Sequence, residues 1–122
     1  MSTAIDVDQV RRSIAYGSLG FGALAVTAPG VFNALYGLHG DGNLRTMVRL
    51  WGTRNLVLGT IALLTDDPAQ RKTLAMLTTA LNVVDTVIIA GAGSDVSARA
   101  RAGGALTTAA FAAASGYVAA SL

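Results

Sequence analysis

Asp85 is the residue whose type and setting best suit acid–base chemistry, because it is the one carboxylate inside a long apolar stretch. A lone carboxylate in a low-dielectric setting shifts far from its usual protonation, which is what a proton donor or acceptor needs. Thr78 and Asn82 precede it at spacings that place all three on one face of a helix. A second polar segment, Arg49-Leu50-Trp51-Gly52-Thr53-Arg54-Asn55, opens another apolar stretch. The ten residues from Leu56 to Thr65 that follow are too few to span a bilayer. That stretch therefore has to carry Arg54 and Arg49 at membrane depth, each at ~2.5–3.5 kcal/mol. Both need a partner, and Asp85 is the acid at hand.

Depth follows from counting outward from the turn at Pro68, since antiparallel neighbours rise equally at about 1.5 Å per residue. Arg54 lies 14 residues before Pro68 and Arg49 lies 19; Asn82 lies 14 after and Asp85 lies 17. This predicts a buried cluster of Arg49, Arg54, Asn82 and Asp85, with Asn55 and Trp51 at its edge. Two arginines against one aspartate leave an excess positive charge that suits an anionic or electron-rich ligand group, or a lipid headgroup. The candidate catalytic residues are Asp85, Arg54 and Arg49, and the candidate ligand-binding residues are Asn82, Asn55, Trp51 and Thr78. A buried Arg–Asp pair also serves as a plain packing clamp, and a lone tryptophan in a helix reads first as packing. Both readings stay open.

The elements that must position these groups are four apolar stretches, at about 10–28, 44–65, 68–92 and 98–122, each near the ~20 residues that a ~30 Å hydrocarbon core demands. The expected fold is all-α, one transmembrane domain over 1–122 with four antiparallel helices running up and down. Pro29-Gly30 ends the first stretch, and glycines and Asx residues from Gly37 to Asn43 make the next turn. Asp67-Pro68 opens the third stretch, with proline where its missing N–H costs nothing. The first stretch reads as a retained span rather than a signal peptide, because Val31–Leu38 stays apolar and cleavage would leave three helices. His39 reads as a loop residue, and Tyr16, Tyr36 and Tyr117 suit interfacial positions.

In the fourth stretch Gly104, Thr108, Ala112, Gly116 and Ala120 recur every four residues, and Ser18, Gly22 and Ala25 form a shorter version in the first. Such smooth faces let helices approach closely, within a bundle or across a homo-oligomer.

Composition supports a membrane setting. Of 122 residues, 52% are hydrophobic and only 13% charged, too little charge for an ordinary soluble domain of this size. All seven acids are aspartate, cysteine is absent and His39 is the single histidine, so disulfides, thiol chemistry and Cys/His metal sites are excluded and no cofactor or metal is expected. The formal charge of +2 comes from scattered basic residues, which argues against nucleic acid as a partner.

The pattern R-x-x-G-x-R-N-x-x-x-G, carried by Arg49, Gly52, Arg54, Asn55 and Gly59, resembles a family of small four-helix bacterial and fungal membrane proteins of unknown function. Asn82-Val83-Val84-Asp85 is similar to that family's polar position in its third helix, and the broader likeness is to DoxX-like four-helix proteins. The resemblance implies architecture rather than an activity. Small multidrug exporters, by contrast, depend on a first-helix glutamate that is missing here, and quinone reductases of the vitamin K epoxide type need cysteines.

These readings converge on an integral protein of the bacterial inner membrane, multi-pass, with both termini cytoplasmic on a slight excess of basic residues, Arg11, Arg12, Arg71 and Lys72 against Arg45, Arg99 and Arg101. The expected partners are membrane lipids and a lipophilic small molecule, a lipid or terpenoid, which the site binds and isomerises or cyclises. The alternatives are a homo-oligomeric transporter or channel and a non-enzymatic subunit of a membrane complex.

Overall fold

The computed structural model describes residues 6–122, and among them every regular element is helical. Helix α1 is Val7–Thr27, α2 is Pro29–Tyr36, α3 is Gly42–Leu64, α4 is Pro68–Ala90 and α5 is Ala98–Ser121, with a 3-10 turn at Gly93–Asp95. Each long helix starts on a side-chain cap. Asp6 accepts from the amides of Asp8 and Gln9, Asp41 from Asn43, Asp67 from Gln70 and Ser97 from Ala100. These bonds satisfy amides that have no intrahelical acceptor.

Sequence alone did not reveal α2. Pro29 does stop α1, because the residue before a proline is pushed out of helical geometry, and Ala28 sits at φ −137° and ψ 61°. The same proline then serves as the first residue of a new helix, so the chain bends by 114° and continues. Gly37 ends α2 in the left-handed region at φ 67°, and Leu38 donates back to the Asn33 carbonyl at 2.8 Å.

The long helices pack as two close pairs, α1 with α3 and α4 with α5, joined mainly where α1 meets α5. In the first pair the backbones nearly touch. A Cβ on Gly22 would lie 2.6 Å from the Gly52 carbonyl oxygen, and one on Gly59 would lie 2.9 Å from that of Ala15. In the second pair Ile89 lies against Gly104, Thr79 lies against Gly116, and the Thr86 and Thr108 hydroxyls meet at 2.6 Å. The small-residue faces of α1 and α5 are thus occupied inside the chain by α3 and α4. Phe111 of α5 rests on Gly17 of α1, and an aromatic group of Phe21, Phe32, Tyr36 and Trp51 ties α2 to α1 and α3.

Many large apolar side chains face outward, Leu64 75% exposed, Leu106 73% and Val87 67%, while the buried positions are mostly small, Ala15, Ala25, Ala75, Ala100, Thr108 and Ser115, with Phe32, Val48 and Val118 the larger ones. Helix α4 alone is long and apolar enough to cross a membrane among the described residues, and α1 with α2 passes the same test as one bent segment. Helix α3 is diluted by Arg45, Arg49 and Arg54, and α5 by alanine, glycine and threonine.

Candidate functional site: an ion pair across two helix pairs

Although α3 and α4 are consecutive, they are not among the helix pairs in close contact. Arg54 of α3 and Asp85 of α4 bridge the gap, with Nη2 donating to Oδ2 at 2.7 Å. Asp85 is the better shielded partner, its side chain 15% exposed against 34% for Arg54. The guanidinium carbon stands 5.9 Å from the Trp51 ring centre, within the range of a cation–π contact. Trp51 sits one turn before Arg54 on the same helix face, so this contact follows from helical spacing.

Arg54 is not fully satisfied. Its Nε–H is buried and has no acceptor. The Arg54 side chain borders a cavity of about 50 Å³ whose polar lining includes Ser18, Asn55, Thr78 and Asn82. Asn55 is fixed from two sides: its Nδ2 donates to the Trp51 carbonyl at 3.0 Å, and Ser18 Oγ donates to its backbone carbonyl at 2.8 Å. Asn82 donates to the Thr78 carbonyl at 2.9 Å. A cavity of this size holds a few waters or one small polar group, since one water needs roughly 10–15 Å³.

A second, larger cavity of about 370 Å³ lies between α3, α4 and α5 toward α2. Phe32, Met47, Val48, Ile88 and Ile89 make it apolar. It shares Trp51, Thr107 and Thr108 with the small polar cavity, so the two lie back to back. Tyr36 in its wall shares a hydrogen bond of 3.1 Å with Thr107. Volume and lining fall in the usual range for a small-molecule site, apolar walls with a few placed polar groups.

Of the residues singled out from sequence, Arg54, Asn55, Trp51, Thr78 and Asn82 line one cavity, and Asp85 joins them through Arg54. Arg49 does not. It is exposed, and its Nε donates to the Val26 carbonyl at 3.4 Å. Five residues on a helix with 3.6 per turn rotate by roughly 140°, so Arg49 and Arg54 cannot share a face. Matching depth alone put both in the cluster. Ser18, Tyr36, Thr107 and Thr108 were missed as site residues. Ser18 and Thr108 stood in the small-residue stripes, where their hydroxyls were the only sign of a polar role.

At the far end of the bundle Asp8, ahead of the apolar run from Val10, takes the Arg11 guanidinium at 2.9 and 3.1 Å and Arg12 Nε at 3.1 Å. Arg11 holds its carboxyl below the usual carboxylate range, aided by the charges of Arg12 and Arg71.

Fold and site together define an all-helical bundle of two close pairs, apolar outside, with an Arg–Asp bridge and polar groups between them. Comparison with family models, curated proteins and solved structures gives no match.

Proposed function

We propose that the chain is a four-span membrane protein that binds a lipophilic small molecule between its two helix pairs. In this reading α1 with α2, α3, α4 and α5 cross the bilayer in antiparallel order, in the manner of the small DoxX-like four-helix proteins that its second-stretch motif resembles. The many exposed leucines and valines support the membrane setting, because lipid solvates side chains that water would not. The cost of Arg54 at depth, ~2.5–3.5 kcal/mol, is offset by its bond to Asp85 and its contact with Trp51.

The observation that carries the binding role is the apolar cavity of about 370 Å³ set back to back with a small polar one lined by Arg54, whose buried Nε–H has no acceptor. An apolar body in the first and a hydrogen-bond acceptor in the second would satisfy both. Asp85 lines neither cavity but takes the Arg54 guanidinium at 2.7 Å, and in this reading it moves the proton in an isomerisation or cyclisation from that position, with Arg54 holding the oxygen. The small-residue faces support packing within the chain more than a homo-oligomer, which places a transporter or channel second.

Native mass spectrometry of the detergent-purified protein tests the reading. A lipophilic molecule should co-purify with the wild type and be lost from folded Val48→Phe, which fills the apolar cavity without touching the ion pair. Asp85→Asn should retain the ligand and lose turnover. Absence of any bound molecule from the wild type, or equal retention by Val48→Phe, would refute the binding site.

A further inference from the structure

The apolar cavity of about 370 Å³ is closed at the end of the bundle and open on one flank. The bend at Pro29 turns α2 across that end, where Phe32, Tyr36 and, beyond the helix, Leu38 cover the cavity. Two bonds latch α2 to the start of α5. Ser97 Oγ donates to the Gly37 carbonyl at 3.0 Å and Arg99 Nη2 to that of Leu35 at 3.0 Å, with the Arg99 stem lying against Gly37. The flank differs. Among the described residues that line the cavity, only Met47 of α3, at 63%, and Ile88 of α4, at 64%, are exposed. The cavity therefore opens outward between these two side chains, in the seam that close packing leaves between α3 and α4.

The seam has a floor. Met47 and Arg54 stand two turns apart on α3, and Asp85 and Ile88 close to one turn apart on α4, so the ion pair lies on the same helix faces as the opening, further into the bundle. Leu50 and Val84, each about one turn from the opening and exposed, make the approach apolar. Inside, the hydroxyls are already engaged, Tyr36 with Thr107 at 3.1 Å and Thr108 with Thr86 at 2.6 Å. A charged or strongly polar head would leave water for a passage whose one cation is already held by Asp85.

We propose that the cavity fills sideways from the bilayer, through this seam, and that its occupant is a neutral lipophile: a hydrocarbon body carrying at most a weakly polar oxygen such as that of an ester, ketone or ether. This rests on the membrane-binding reading above and adds to it the route and the class of molecule. A water-borne substrate would have to pass the latched end, whereas a molecule dissolved in hydrocarbon already lies beside Met47 and Ile88. Methionine suits that place, because its unbranched thioether chain changes shape readily and can part for an entering ligand. The route also leads past Asp85, which lines neither cavity.

The test uses Trp51, the only tryptophan, which lines the cavity and loses fluorescence where bromine touches it. The probe is methyl dibromostearate, dissolved at low mole fraction in dioleoylphosphatidylcholine vesicles that carry the full chain. Quenching should saturate as the ester is raised and disappear in Val48→Phe, and acrylamide added from water should leave Trp51 bright. Met47→Cys with Ile88→Cys, joined across the seam by a bis-methanethiosulfonate in this otherwise cysteine-free chain, should slow quenching by about tenfold or more, and reducing the link should restore the rate. Saturable quenching that the link leaves unchanged, or quenching by acrylamide, overturns entry from the bilayer while the binding site stands. Quenching that rises linearly with the ester, as for tryptophan octyl ester in the same vesicles, overturns the binding site itself. Should the cysteine pair not fold, Met47→Cys alone, carrying a bulky methanethiosulfonate label, decides by the same comparison before and after reduction.

Discussion

Arg54 and Asp85 bridge two helices that hardly pack against each other, so removing either partner should be costly and removing both should be cheap. Asp85 is 15% exposed and Arg54 34%, so burial penalises the carboxylate stranded by Arg54→Met more than the guanidinium stranded by Asp85→Leu. Breaking a buried pair costs ~3–5 kcal/mol. Partial exposure of the arginine brings the expected losses down to about 3 kcal/mol for Arg54→Met and about 2 for Asp85→Leu. The double variant should stay within about 1 kcal/mol of wild type, because an apolar pair fills the gap with no charge left over. The resulting coupling, about 4 kcal/mol by this arithmetic and somewhat less after relaxation, is far above the ~0.5 kcal/mol of independent sites. Denaturant titration of the four proteins in one detergent measures it. Trp51, the only tryptophan, lies 5.9 Å from the Arg54 guanidinium and reports the same region by fluorescence. Additive losses, with coupling below ~0.5 kcal/mol, would refute the idea that this bond holds the two helix pairs in register.

Glycine replacements should separate contact from propensity. Gly22→Ala and Gly59→Ala force a Cβ to within 2.6 and 2.9 Å of a facing carbonyl and should cost ~1–3 kcal/mol by pushing α1 from α3, whereas Gly20→Ala meets nothing within 4 Å and should gain ~0.5–1 kcal/mol of helix stability. Equal Tm shifts for Gly20→Ala and Gly59→Ala would contradict the close approach. Arg49→Gln should change stability by less than about 1 kcal/mol and leave any co-purifying ligand bound, as its one bond is a 3.4 Å contact to the Val26 carbonyl; loss of ligand in native mass spectra would return it to the site. Asp8 has a lowered folded pKa, so its stabilising effect is complete above the unfolded carboxylate value and fades as pH falls through the folded one. The Tm gap between wild type and Asp8→Asn should therefore be steady from pH 7 to 5 and close below roughly pH 4; a gap independent of pH would exclude the ion pairs as its source.

Sequence reading and structure part ways at physically intelligible places. Counting residues from the Pro68 turn set Arg54 within reach of Asp85 because the link between α3 and α4 is only three residues and both helices are regular, so equal counts give equal heights. Height is one coordinate of two, and the angle around the helix, neglected in that count, is what sends Arg49 to the Val26 carbonyl. The small-residue stripes correctly mark close approach but carry no address: the partner of α1 is α3 and that of α5 is α4, choices made by facing glycines such as Gly52 that a stripe on one helix cannot specify. The motif residues divide along the same line. Gly52 and Gly59 stand seven apart, two turns on one face, and admit α1, while Arg54, turned away from that face, meets α4. One short motif thus sets both the tight pair and the bridge across the loose seam. The seam is where the polar groups collect because close pairing of α1 with α3 and of α4 with α5 leaves α3 and α4 apart, and space not filled by side chains is where a ligand can be held.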